Sequence, residues 1–322
     1  MDPLPVRELG PGISDAEIKE KLLEDYEDLD AKEFQTIMQL VRPLVRTAYD
    51  LNTGADDEGD EEVEVEGEGE GEGGVEEAGG DGILPHTLCD VLASKIGGIG
   101  YMSASEGLPI CGQCNKPLSL MVQINLSQLP SEAHDHLGLG DEGLIQVWFC
   151  NSMEGCDNYD GFSDAELIRY IPGPALSDNT HKDRDTILGL YKSHPDLETR
   201  HIWPETPITQ LTKREDYPKA DEVYNMAEEG DEEVDEDVLE MIQETSRHMD
   251  NTTSDAYLGG WCDWIQDVQY PECPECGEAM REVVLNMDTL SDIDFMWGDS
   301  GTGQVCQCET HRHIMALTWA SH

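Results

Sequence analysis

Two stretches of the chain, 162 residues apart, follow one plan. Gly97-Gly98 is followed thirteen residues later by Cys111-x2-Cys114, and Gly259-Gly260 thirteen residues later by Cys273-x2-Cys276. A proline stands two residues before the first cysteine of each pair (Pro109, Pro271), and Asn115 or Gly277 follows the second. Further on, Val147-Trp-Phe-Cys150 corresponds to Val305-Cys-Gln-Cys308. Such an internal repeat constrains the fold to two related segments, each assembling soft ligands from sequence-distant pieces.

A Cys-x2-Cys turn holds two sulfurs about one tetrahedral edge apart, and its free backbone amides favour thiolates. The expected first site is Cys111, Cys114, Cys150 and Cys156, and the second is Cys273, Cys276, Cys308 and His311. Cys306 and His313 are alternatives in the second site, because Cys306 and Cys308 project to one side of a strand. A redox dithiol normally stands alone at a strand-to-helix turn rather than in duplicate beside further cysteines, so two structural zinc ions are the expected cofactors. Four protein ligands leave no open position for water, which makes these staples rather than Lewis acids. Cys89 and Cys262 lack an evident partner and read as core residues.

The 322 residues carry a formal charge of −51, from 70 acids against 19 Lys and Arg. Gly54 to Asp81 holds 14 acids and Met226 to Glu244 holds 10, neither with a Lys or Arg, yet the remaining 46 acids still outnumber the bases. This excess repels nucleic-acid phosphates and anionic lipid and steers basic partners inward. The plainer reading is that the charge keeps the protein soluble or reflects a salt-adapted source. Met1-Asp-Pro-Leu-Pro5 lacks the basic and apolar regions of a leader, and no window approaches the ~20 apolar residues of a membrane span. A soluble, cytoplasmic protein without direct nucleic-acid or membrane contact is expected, where cysteines serve as thiolate ligands rather than crosslinks.

The expected fold is α+β and mostly β: two tandem β-rich copies with zinc knuckles after a short helical segment. Residues 1–53 read as helical, with Asp15 capping a helix from Ala16 and with Ile18, Leu22, Phe34, Ile37, Met38 and Val41 at helical spacing. The Glu-Gly alternation of 54–81 reads as a disordered linker. The first copy spans 82–174, with strands over 118–126 and 144–149. Residues 175–256 read as an irregular connector with a short helix near Val238, Leu239 and Ile242, and 257–322 as the second copy, with strands near 282–286, 304–308 and 314–319.

Gly298-Asp-Ser-Gly301 copies the nucleophile tetrapeptide of trypsin-like proteases, so the rival class is a hydrolase-like enzyme using Asp299, Ser300 and His313 in a cleft between the copies. Four residues inside a ligand repeat favour a glycine-supported turn instead. Ile96-Gly-Gly-Ile-Gly100 lacks the pattern of a nucleotide loop.

Lys95-Ile-Gly-Gly98, Leu118 to Leu126 with Gln123-Ile-Asn125, Gly143-Leu-Ile-Gln146, Trp203 with Asp216-Tyr-Pro218, and Gly298-Asp-Ser-Gly-Thr-Gly303 with Gln307-Cys308 together resemble the YwqG-like domain over about residues 83–320. The double Gly-Gly, Cys-x2-Cys and strand-Cys plan is also similar to programmed cell death protein 2 and its relatives. That second resemblance implies a dedicated chaperone for a small-subunit ribosomal protein. The expected function is a zinc-stabilised protein-interaction module, with a basic protein as its client.

Overall fold

The structure is a computed structural model and describes residues 1–9, 14–26, 29–53, 89–152, 155–156, 161–176, 181–194, 202–229, 236–249 and 252–322. The linker expected at 54–81 lies outside the described residues.

After a short strand at Val6–Glu8 come two helices, α1 (Asp15–Asp25) and α2 (Ala31–Val41), and the segment expected to be helical to residue 53 ends instead in a strand, Arg46–Thr53. Ser14, not Asp15, caps α1: its hydroxyl accepts the Glu17 amide and the Glu17 carboxylate returns to the Ser14 amide. Asp15 sits inside the first turn and pairs with Arg42 at 2.6 Å. Ile18 and Leu22, four residues apart, bury with Ile37, Met38 and Val41 against Tyr217, Val223 and Ile242. Further α-helices among the described residues are α3 (Ser131–Leu137), α4 (Gly173–Leu176), α5 (Arg184–Ser193), α6 (Ala220–Glu229) and α7 (Glu236–Met249).

The strands are β1 (Val6–Glu8), β2 (Arg46–Thr53), β3 (Lys95–Gly97), β4 (Ser119–Asn125), β5 (Gly143–Phe149), β6 (Glu166–Pro172), β7 (Glu205–Asp216), β8 (Ala256–Gly259), β9 (Glu282–Met287), β10 (Thr302–Gln307) and β11 (Met315–Ala320). They form one sheet in the order β11-β10-β9-β8-β2-β7-β3-β4-β5-β6, antiparallel throughout except where β1 runs parallel to β7. The fold is mostly β, and because β6 also lies against β11 the sheet is nearly closed. β4 and β5 are buried along their whole length, which is why they read as largely apolar segments rather than alternating ones.

The sheet has a central antiparallel pair, β2 and β7, with an arm of strands β3 to β6 on one side and β8 to β11 on the other. Both arms feed one core. Phe149 of the first arm meets Phe295 and Trp297 of the second edge-to-face at centroid distances of 5.6 and 5.2 Å, and Trp203 meets Phe295 in the same way at 5.5 Å. The stretch 175–256 is therefore not an irregular connector: it supplies the longest strand, at the middle of the sheet, and α5, α6 and α7. Its β7 sequence escaped notice because Pro207 and five charged residues interrupt the apolar pattern, their partners lying far away in sequence.

Glu166 begins β6 at the seam with β11. Its carboxylate is buried against the backbone of Phe162, Ser163 and Leu317 without a well-formed hydrogen bond, and burial pushes it up to about 8. The folded chain then holds a proton that the unfolded chain releases near 4.5. Stability should fall as pH rises between those values, by about 1.4 kcal/mol per pH unit at the steepest. Urea unfolding across that window should show this slope, and Glu166→Gln should flatten it; an unchanged slope in the variant would place the effect elsewhere.

Candidate metal centres and the polar rows behind them

Each Cys-x2-Cys turn closes on itself with the same backbone pattern. Lys116 O accepts from Cys111 N, Cys111 O from Asn115 N, and Pro109 O from Leu118 N, at 2.8, 2.9 and 2.8 Å. Glu278 O, Cys273 O and Pro271 O accept from Cys273, Gly277 and Met280 at 2.9, 2.8 and 2.9 Å. Asn115 and Gly277 take φ of 60° and 75°, the left-handed region in which Asn and Gly cost least.

The structure brings together Cys111, Cys114, Cys150 and Cys156, and separately Cys273, Cys276, Cys308 and His311, with all ligand atoms of each group within 4.8 Å of one another. In the first group Cys111 and Cys156 Sγ are 3.8 Å apart, Cys114 and Cys150 3.6 Å, and Cys150 and Cys156 3.7 Å. In the second, His311 Nδ1 lies 3.6 Å from Cys273 Sγ and 3.7 Å from Cys308 Sγ, with Cys276 and Cys308 3.7 Å apart. The edge of a tetrahedron with metal–sulfur bonds of about 2.3 Å is about 3.8 Å, so both groups fit a four-coordinate divalent ion. His311 Nε2 faces Glu275 at 3.3 Å, the carboxylate partner that fixes a metal-binding imidazole's tautomer.

The thiols are tuned unequally. Burial pushes Cys156 up to about 11 and raises Cys150 further. Burial also opposes ionisation of Cys273, yet the amides of Cys276 and Glu275 and the Cys308 and His311 side chains draw it down to about 6. Several thiolates cannot share one small volume without a cation, and a divalent ion would supply that charge.

Of the alternatives for the second group, Cys306 turns to Cys262, with Sγ atoms 3.7 Å apart in the buried layer below, and His313 is 64% exposed beside Glu275. Cys262 therefore has a neighbour that spacing did not suggest. Cys89 is half-buried, its amide donating to Glu205. Ser300 is exposed; its hydroxyl points to Met296 Sδ at 3.9 Å, and among the described residues no histidine or carboxylate bonds to it.

Two buried polar rows lie beside the knuckles. Across β3 to β6 the register aligns Lys95, Gln123, Gln146 and Arg169; across β8 to β11 it aligns Tyr257, Asn286, Gln304 and Thr318. Gln146 Nε2 donates to Tyr101 O at 3.0 Å, and Gln304 Nε2 to Asp263 O at 2.9 Å, so each row holds the chain that leaves the Gly-Gly turn. In both turns the next amide meets a buried acceptor: Ile99 N donates to Glu205 at 3.0 Å and Trp261 N to Asp216 at 2.6 Å. Burial opposes the Glu205 charge, but Lys95, Arg184 and the Ile99 and Cys89 amides hold it below the ordinary carboxylate range. Sequence reasoning noticed the glycines but not these acceptors, whose one signal is that a paired left-handed turn exposes amides that need an anion.

A Cβ on Gly98 would lie 2.2 Å from Glu205 Oε2, on backbone with φ of 73°. Gly98→Ala should destabilise the protein by about 2 kcal/mol or more in urea unfolding, and a neutral result would separate the turn from its carboxylate.

Among the described residues no helix is long and apolar enough to cross a membrane. No curated protein matches the chain significantly. Residues 94–307 match a family described as a domain of unknown function, DUF1963. The match begins just before β3, takes in six of the eight clustered ligands, and ends at the residue before Cys308. Since it spans more than half of the chain, the protein belongs to the DUF1963 family.

Proposed function

We propose that the protein is a zinc-stabilised interaction module that holds a basic client, such as a ribosomal protein, in the cytoplasm. The observation that carries this reading is the charge, −51 over 322 residues. A surface so acidic attracts cationic chains from a distance and screens them from nucleic acid. The resemblance to the programmed cell death protein 2 relatives points the same way, while the YwqG-like character of residues 83–320 carries no function of its own. The two ligand groups support zinc in a structural role, because four protein donors close each shell. A reducing compartment suits thiolate ligands. The common order of Gly-Gly turn, knuckle and strands in the two arms supports their reading as related copies around one core.

Elemental analysis of protein purified without chelator should find about two zinc ions per chain. Chelation should lower the melting temperature; absence of metal together with an unchanged melt would return the cysteines to core or redox roles.

Client capture is tested by affinity purification from the native cell at low and high salt, followed by mass spectrometry. One basic protein should be recovered stoichiometrically, lost at high salt, and weakened by deletion of residues 54–81. Capture that ignores both salt and the deletion would end the electrostatic reading.

A further inference from the structure

The two edges of β7 are covered differently. β2 lies along one of them from Ile208 to Asp216. The other edge is shared: β3 covers Glu205 to Pro207, and β1 covers Leu211 to Lys213. β1 is also the one parallel strand of the sheet among the described residues, and residues 4–9 cross this second edge as a strap.

The strap is held through its backbone. Pro5 O accepts from Leu211 N at 2.9 Å, Leu9 N donates to Lys213 O at 3.1 Å, and Leu4 N donates to Gln128 O at 2.9 Å. With Val6 opposite Leu211 and Glu8 opposite Lys213, the amides of Arg7 and Leu9 point at β7, whereas those of Val6 and Glu8 point away from it. Val6, Arg7 and Glu8 are exposed, and among the described residues neither Arg7 nor Glu8 makes a side-chain hydrogen bond or ion pair. Glu8 acts on Lys213 only at a distance. Leu4 packs on the main core, and Asn125 Nδ2 reaches Met1 Sδ at 3.6 Å. β7 itself is fixed without the strap, by its ladder with β2 and by Arg214 on Asp50. Lifting residues 4–9 would therefore leave a standing sheet edge that offers the Leu211 amide and the Lys213 carbonyl.

We propose that this edge of β7 is a strand-docking site, covered by residues 4–9 as a displaceable strap, and that it receives an extended segment of a partner protein running parallel to β7 with a leucine-sized residue in the place of Leu4. Main-chain hydrogen bonds together with an apolar pocket are how an extended peptide adds to a sheet edge, and such recognition accepts other sequences as long as the paired amides are present. Proline cannot supply them in the places of Arg7 and Leu9. The site does not depend on the acidic surface that the client reading uses, so it stands or falls apart from that reading.

The probe is a dye-labelled peptide of the strap's own sequence, Met1 to Leu9, titrated with the full chain and followed by fluorescence anisotropy. The wild-type chain should bind it weakly, because the strap competes. Arg7→Pro, which removes a paired amide from the strap, should bind it at least about tenfold more tightly than wild type. A peptide N-methylated at the Arg7 amide should lose at least about tenfold in affinity for that variant, while N-methylation at the outward-pointing Glu8 amide should change it by less than about twofold. Leu4→Ser in the full chain loosens the strap by a second route and should act as Arg7→Pro does. Equal losses from the two N-methyl peptides, or variants that melt as wild type does and bind no better, would overturn the docking site. Failure of both variants to fold would overturn it as well, by making β1 an integral strand. A wild-type dimer that the peptide dissociates would overturn the partner reading and assign the edge to β1 of a second copy.

Discussion

A guanidinium in the middle of a sheet must be answered by charge, and the centre of this fold is arranged around Arg214. Its side chain is 1% exposed. Nε donates to Asp50 of β2 at 2.7 Å and Nη1 to Asp216 at 2.6 Å, and the group lies 4.5 Å over the Tyr257 ring of β8. Each carboxylate has a second oxygen with its own task. Asp50 Oδ2 accepts from the amide and hydroxyl of Thr253, and Asp216 Oδ2 from the Trp261 amide. One cation therefore fixes β2 on β7, the segment that enters β8, and the turn that leaves it. Removing it would strand two carboxylates, a loss on the order of 3–5 kcal/mol.

The first arm meets the same demand with different residues. Its Gly-Gly turn also aims an amide inward, and Glu205 answers it from the opposite end of β7, with Lys95 and Arg184 supplying the positive charge. The shared requirement is the donor exposed by two successive left-handed glycines, not any particular acid. β7 carries both acceptors, Glu205 at its first residue and Asp216 at its last, so a single strand couples the two turns across the sheet. This accounts for a polar strand in the centre of a mostly apolar sheet: its charges are the points of attachment for both arms.

The ligand groups and the buried strands were legible in sequence because both leave local marks. Cys111-x2-Cys114 and Cys273-x2-Cys276 declare a turn by themselves, and β4, β5 and β9 are rich in apolar and β-branched residues. β7 was not legible, because Thr206, Gln210, Lys213 and Glu215 look like connector residues until β2 and β3 are placed beside them. The pairing of Cys262 with Cys306 and the hydrogen-bonding roles of Gln123, Gln146, Asn286 and Gln304 are likewise consequences of register, which sequence spacing does not express. At the first helix the difference was one residue, and Ser14 won because only there can hydroxyl and Glu17 exchange hydrogen bonds.

Both cysteine groups stand at the ends of the sheet rather than in its main core, and each governs the strand beside the seam. Cys150 N donates to Ala165 O and Gly112 N to Asp164 O, tying the first knuckle to the chain that enters β6. Cys308 N donates to Ile314 O, tying the second to the chain that enters β11. Gly161 lies between them, so close that a Cβ there would come within 3.2 Å of Pro271 and 3.1 Å of Ala316. β6 and β11 are the two edges of the sheet, and an edge left open presents unpaired backbone groups. A metal ion held at either group would order thiols that otherwise repel one another when ionised, and the free energy of that ordering would be delivered to the strand that closes the sheet. Ions held there would thus act on the fold at its seam, beside the β6 and β11 residues that pack on the shared core.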